Sequence, residues 1–153
     1  MHHYGGGYTD IKQTTKKWGD FFDQLKNSSS LALGYQELAH GIPHLNNLLG
    51  DEIRKNHMDV IGLCSFIFKK NSSITSKWYS DTNALLDRKL SELIEFPAQH
   101  PQDQFSVILP DNSVSKYPLR WAELLGEIFH PIIYKFKDSL LKDEIAPSFS
   151  NYR

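Results

Sequence analysis

The chain is poor in sulfur, in long apolar runs and in net charge. Its 153 residues include one cysteine, Cys64, and two methionines. One cysteine excludes an internal disulfide framework, and its place inside "VIGLCSFIF" reads as a small buried hydrophobe. No apolar run approaches the length that spans a bilayer. With 17 Lys and Arg against 18 Asp and Glu, the net charge is −1. That balance gives neither a nucleic-acid footprint nor a polybasic membrane surface. The N-terminus is polar, aromatic and rich in glycine, which is not a signal-peptide pattern. A soluble, cytoplasmic chain is therefore expected, with an anchor further upstream left open. Asn27 and Asn71 begin Asn-x-Ser triplets, which carry little weight in a chain with a reducing-compartment profile.

Several chemistries are missing as well. There is no Rossmann fingerprint, no P-loop and no Ser/His/Asp elbow. His40 and His44 are four apart, but Gly41 and Pro43 forbid a regular helix between them, so a zinc pair is not expected there. The length fits one domain, residues 1–153, and is enough for a core. No internal repeat or low-complexity tail appears.

What is present alternates helical and strand-like patterns. Trp18, Phe21, Phe22 and Leu25 make one apolar helical face that ends at "NSSS". "SLALGYQEL" reads as a short buried strand ending near Gly34. "IPHLNNLLGDEIRKNH" is broken by Pro43 and Gly50 and reads as a short helix with loops. "DVIGLCSFIFKK" is the strongest strand, apolar throughout and so covered on both faces. "NSSITSKWYSDTNALLDRKLSELIEFP" is the strongest helix, capped by Ser73 or Thr75 and stopped by Pro97. Residues 98–118 read as a long polar loop with one short strand, "SVIL". A last helical stretch spans about 118–142, with Trp121, Leu125, Ile128, Ile132 and Phe136 on one side, and Pro131 should kink or split it. "APSFSNYR" reads as an irregular tail. The three tryptophans all lie on apolar helical faces and are expected in the core. Helices between near-continuous apolar strands predict an α/β fold, with only two or three strands secure.

The stretch "HHYGGGYTDIKQ" holds the chemistry that stands out. Gly5, Gly6 and Gly7 permit either a tight turn between a helix and a strand or close backbone approach to a ligand. In an extended segment Asp10 and Lys12 share a face, which suits a salt-bridged pair as well as a site. Glu37, after Gly34 at a strand end, suits a general base or an ordinary surface carboxylate. His130, before Pro131, can face a cleft or pack against Trp121 and Phe129. The "HPQDQ" run, His100 to Gln104, can line a groove or stand as a solvated loop.

These residues resemble a family. "HHYGGGYTDIK" resembles the Tyr-Gly-Gly-x-Tyr-x-Asp-x-Asp segment of GT-A glycosyltransferases, including the group with a sugar-binding DXD motif found in mannosyltransferases and capsular polysaccharide synthesis proteins. "LALGYQE" and "IGLCSFIFKKNSSITSKWYSDTNALLDRKL" resemble later segments in the same order. "YPLRWAELLGEIFHPIIYKF" resembles the closing segment of algal-virus and bacterial polysaccharide glycosyltransferases. Together these cover most of the chain.

The resemblance implies a partial GT-A fold that lacks its N-terminal nucleotide-binding strand–helix–strand unit, supplied by a missing segment or a partner chain. It implies a nucleotide-sugar donor, a glycan or polysaccharide acceptor, and a Mn²⁺ or Mg²⁺ ion bridging the donor diphosphate. Asp10 matches the first aspartate of the acidic pair, as a catalytic residue and metal ligand. Lys12 stands where the second aspartate would be, so the chain either binds the metal weakly or sets the lysine charge against the diphosphate. Gly6, Gly7, Tyr8, Lys12 and Gln36 fall at substrate-binding positions, Glu37 at a catalytic one, and His130 at the late metal-ligand position. On this reading the isolated chain binds sugar nucleotides poorly, and a remnant or interaction module that keeps the fold without the activity is the alternative.

Overall fold

The continuous apolar run becomes the central strand of the sheet. In the computed structural model, which describes residues 1–14, 16–45 and 47–149, the elements run β1 (Gly6–Thr9), α1 (Gly19–Lys26), β2 (Ala32–Gln36), α2 (Leu48–Lys55), β3 (Ile61–Phe68), α3 (Ser73–Arg88), α4 (Leu90–Glu95), α5 (Gly126–Lys135) and β4 (Leu140–Lys142). Strand order is β1-β3-β2-β4. The α/β class is as expected, but the sheet has four strands and is mostly antiparallel. β3 pairs antiparallel with β1 and β2, and only β2 and β4 run parallel. A strand covered on both faces is apolar throughout in either orientation, which is why composition did not reveal direction.

Two apolar clusters cover the two faces. One packs Phe66, Phe68, Ile61 and Ala32 under Ile53 of α2, Ile74 of α3, and Phe129, Ile132 and Ile133 of α5. The other packs Leu33, Tyr35 and Ile67 against Phe21 and Leu25 of α1 and Ile145 of the tail. Each fully buried side chain of this kind contributes about 1.5–3 kcal/mol. The odd residues Ile61 and Leu63 and the even residues Phe66 and Phe68 all reach the first cluster. The β2–β3 register shifts between Gly34 and Gln36, and that irregularity changes the side-chain parity.

Local chemistry explains the other departures. Asn47 caps α2 by accepting from Gly50 N–H at 2.8 Å, so Gly50 lies in the helix rather than breaking it. Ser72, not Ser73 or Thr75, caps α3 by accepting from Thr75 N–H. That helix stops at Lys89, where α4 starts separately. Pro131 lies in the second turn of α5 and does not end it, because it removes only the bond to the Glu127 carbonyl. Residues 121–125 form turns, and 140–142, expected in a helix, pair as β4 beside β2. "SVIL" contributes a single bridge, Ile108 to Val114. Trp18 and Trp78 pack on the clusters, but Trp121 is 64% exposed. No helix among the described residues is long and apolar enough to cross a membrane.

Candidate functional site

The glycines deliver the chain onto the outer edge of β3. Gly5 and Gly6 have φ of 68° and 101°, in the left-handed region that favours glycine. Gly6 and Gly7 then pair with Phe68 and Ile67, and Tyr8 stacks on Phe66 with ring centroids 5.3 Å apart. Beyond β1 the backbone turns tightly, with Lys12 N–H donating to Asp10 C=O at 2.7 Å.

That turn gathers three of the motif's side chains. Tyr8 Oη donates to Asp10 Oδ1 at 3.0 Å, and Lys12 Nζ lies 2.8 Å from Asp10 Oδ2. Lys12 also stands over the Phe149 ring, 5.2 Å from its centroid. Burial raises the Asp10 carboxyl, but hydrogen bonds from Lys12, Tyr8 and the Cys64 thiol and the Lys12 charge outweigh it, so the carboxyl sits below its ordinary value. The same contact raises the Tyr8 hydroxyl. The Cys64 thiol is raised, chiefly by burial, and is a poor nucleophile at neutral pH.

A carboxyl lowered on folding adds stability above its unfolded value, and that stability is lost as pH falls through the folded value. Asp10→Asn is therefore expected to cost about 1 kcal/mol or less at neutral pH. In urea melts across the acid range, the gap to the wild type should close once Asp10 is protonated. A gap that persists at the lowest pH would contradict the ion-pair account.

Glu37 and His130 meet elsewhere, 93 residues apart in the chain. Glu37 follows β2 and is 5% exposed; His130 lies in α5 and is fully buried. His130 Nδ1 donates to the Gly126 carbonyl at 3.2 Å, one helical turn back. His130 Nε2 lies 3.3 Å from Glu37 Oε2, while Leu38 N–H donates to Glu37 Oε1 at 2.9 Å. A carbonyl only accepts, so Nδ1 carries its hydrogen. His57 Nδ1 donates to the Glu37 carbonyl at 2.8 Å, so the backbone of this residue is held too.

The structure thus brings Asp10 together with Tyr8 and Lys12, and Glu37 with His130, but does not join the two groups. Asp10 N–H bonds to Cys64 C=O on one side of β3, and Glu37 N–H to Val60 C=O on the other. Strand geometry separates their Cα atoms by on the order of 15 Å. Gln36 is exposed at the end of β2, opposite Ile61. Among the described residues, no group of three or more His, Cys, Asp and Glu side chains stands ready to hold a metal ion. Cavities described on this surface are lined by other residues.

Sequence reasoning missed Gly41, His57 and Gly126. A Cβ at Gly41 would run into the Glu37 carboxylate, 2.7 Å from its Cδ. Nothing in "AHGIP" marks that contact, since Gly41 reads only as a turn residue. Gly126 was within reach, because its place four before His130 puts both on one helix face. No protein-family model, curated protein or solved structure matches the chain.

Proposed function

We propose that the chain is the C-terminal part of a GT-A glycosyltransferase, moving a sugar from a nucleotide-diphospho-sugar to a glycan or polysaccharide. The nucleotide-binding strand–helix–strand unit would come from a segment outside these residues or from a partner chain. The observation that carries the reading is the Tyr8–Asp10–Lys12 cluster, in which three motif residues converge through hydrogen bonds at the end of an edge strand. Sugar transfer leaves a nucleoside diphosphate on which negative charge builds. An ammonium held in place by a carboxylate offsets that charge without reorganising, which is where an electrostatic site acts best. Lys12 supplies the ammonium, Asp10 fixes its position, and Tyr8 steadies Asp10.

The residues described do not by themselves fit a Mn²⁺ or Mg²⁺ ion. Both oxygens of Asp10 are engaged, by Tyr8 and Lys12, and His130 is buried against Glu37. The cation that this chain itself offers the diphosphate is Lys12. Glu37, with both oxygens engaged and almost no exposure, serves to position β2 against α5. One observation favours the second reading, a non-catalytic module with the same fold: Glu37 and His130, expected at the catalytic and metal-ligand positions, are buried against each other.

The test is release of nucleoside diphosphate from a panel of UDP- and GDP-sugars, with glycan acceptors and divalent ions, using this chain and its full reading frame. Acceptor-dependent release that falls about 100-fold or more in Lys12→Ala and Asp10→Ala supports the transferase. No release from any donor by either form overturns it.

A further inference from the structure

A broad cleft lies away from all these residues. It has a volume of about 1310 Å³ and is cut between the turn at 97–104, the hairpin at 107–115 and Trp121. The hairpin is tightly made. Ser115 N–H donates to Val107 C=O and Leu109 N–H to Ser113 C=O, both at 2.8 Å, and Asp111 Oδ1 accepts from both the N–H and the hydroxyl of Ser113. The turn is fixed by Asp103, which is 7% exposed and whose Oδ2 accepts from Gln99 N–H at 2.8 Å. Phe105 N–H donates to Leu119 C=O, and Lys89 reaches both Pro118 C=O and the Glu123 carboxylate. The loop that composition reads as polar and irregular is therefore a formed wall.

The lining has a definite chemical character. Its polar groups are the amides of Gln99, Gln102 and Gln104, the ring of His100 and the carboxylate of Asp111. Among the described residues that line it there is no lysine or arginine. Hydrogen bonds from Ser113 hold Asp111 below the usual carboxylate range, so it is ionised at neutral pH. A carboxylate with no lysine or arginine beside it disfavours phosphates and carboxylates, so the lining suits an uncharged ligand. The side-chain amides of Gln102 and Gln104 have no hydrogen-bond partner among the described residues, and each both donates and accepts. His100 Nδ1 accepts from Gln102 N–H at 3.2 Å, which leaves its Nε2–H to donate outward. Trp121 adds a broad apolar face, 64% exposed.

We infer that this cleft binds a neutral saccharide chain. A hydroxyl both donates and accepts, as do the amides that face it. A pyranose ring also has one face of C–H groups that lies flat on an indole. The volume exceeds that of an ordinary small-molecule pocket and suits several linked rings. Asp111 and the Gln amides address the hydroxyls, and Trp121 with the Val107–Pro110 segment supports the rings. The cleft is separate from the Tyr8–Asp10–Lys12 cluster, and its binding does not require the transfer reaction.

The test is titration of the chain with short neutral gluco-, manno-, galacto- and N-acetylglucosamine-oligosaccharides, followed by calorimetry and by the indole N–H resonance of Trp121. At least one series is expected to bind and to shift that resonance. Trp121→Ala should weaken binding about tenfold or more, and Trp121→Phe by less. Gln102→Ala and Gln104→Ala should each weaken it severalfold with thermal unfolding unchanged. If no series shifts the Trp121 resonance, or if binding survives Trp121→Ala intact, the inference is overturned. A Trp121 resonance that instead moves with protein concentration, alongside a dimer in sedimentation lost in Trp121→Ala, overturns it in favour of an interface between copies. Saccharide binding without nucleoside diphosphate release would leave this cleft standing and the transferase reading fallen.

Discussion

Replacing His130 by alanine is expected to lower the stability of the chain by about 3–5 kcal/mol. Two losses add. The fully buried imidazole leaves a cavity beside Phe129, whose ring centroid lies 5.5 Å from its own. The Glu37 carboxylate then stays in the core with only Leu38 N–H as a partner. Glu37→Ala should cost a similar amount, because it strands the imidazole instead. Glu37→Gln is the informative variant. Its carbonyl can accept from Leu38 N–H while its amide donates to Nε2 of a neutral His130, so both hydrogen bonds survive without charge. We expect it to lie within about 1 kcal/mol of the wild type. Urea unfolding of the set checks this. A His130→Ala protein as stable as the wild type would remove the pair from the account of the fold. The same series separates a positioning role from a chemical one. If Glu37 took a proton from an acceptor hydroxyl, Glu37→Gln would keep its fold and lose turnover; a positioning residue should keep both.

That pair also shows what the sequence could and could not reveal. Helix α1, strand β2, strand β3 and helix α3 were legible because their apolar spacing is local and most of each pattern is buried: Phe21 and Leu25, Ala32 and Leu33, Ile67 and Phe68, and Leu85, although Phe22 of the α1 face is 41% exposed. β1 and β4 were not. Gly6–Thr9 is half glycine, and Leu140–Lys142 continues a helical spacing; each is a strand only because a distant partner supplies the ladder, Phe68 to Ser65 for one and Ala32 to Gly34 for the other. The Asp10–Lys12 ion pair was legible as a pair, two residues apart, although the segment that makes it is a tight turn rather than an extended strand. The Glu37–His130 contact was not, since it joins β2 to α5 through the packing of the whole first cluster. Trp121 misled for the opposite reason. Its spacing with Leu125 and Ile128 is helical, but the helix starts only at Gly126. Trp121 and Leu125 are left on the surface, where the aromatic ring becomes part of a cleft.

The three consecutive glycines should respond to alanine in a set order, because each answers a different demand. At Gly5 both terms act. Its φ of 68° is strained for an L-residue, and an added Cβ would lie 2.6 Å from Lys70 N and 2.8 Å from Phe68 O. Those are backbone atoms at the end of β3 and cannot turn aside, so Gly5→Ala is expected to cost about 3 kcal/mol or more. Gly6 has φ of 101° but open space around the added methyl, so strain alone remains, about 1–2 kcal/mol. At Gly7 there is no positive φ, but a Cβ meets the Trp18 ring and lies 3.3 Å from Ile67 Cγ1. Gly7→Ala should fall between the other two, and shortening Trp18 should relieve it: Gly7→Ala with Trp18→Ala should cost less than the two single losses summed. Thermal or urea melts of the three variants and the double variant give the order directly. If Gly5→Ala costs no more than Gly6→Ala, the close approach to β3 is not what the first glycine serves. Should all three be nearly neutral for stability, the run would have to be there for something that comes against the backbone from outside, and the donor diphosphate proposed for the Lys12 side of this strand would be the first candidate to titrate.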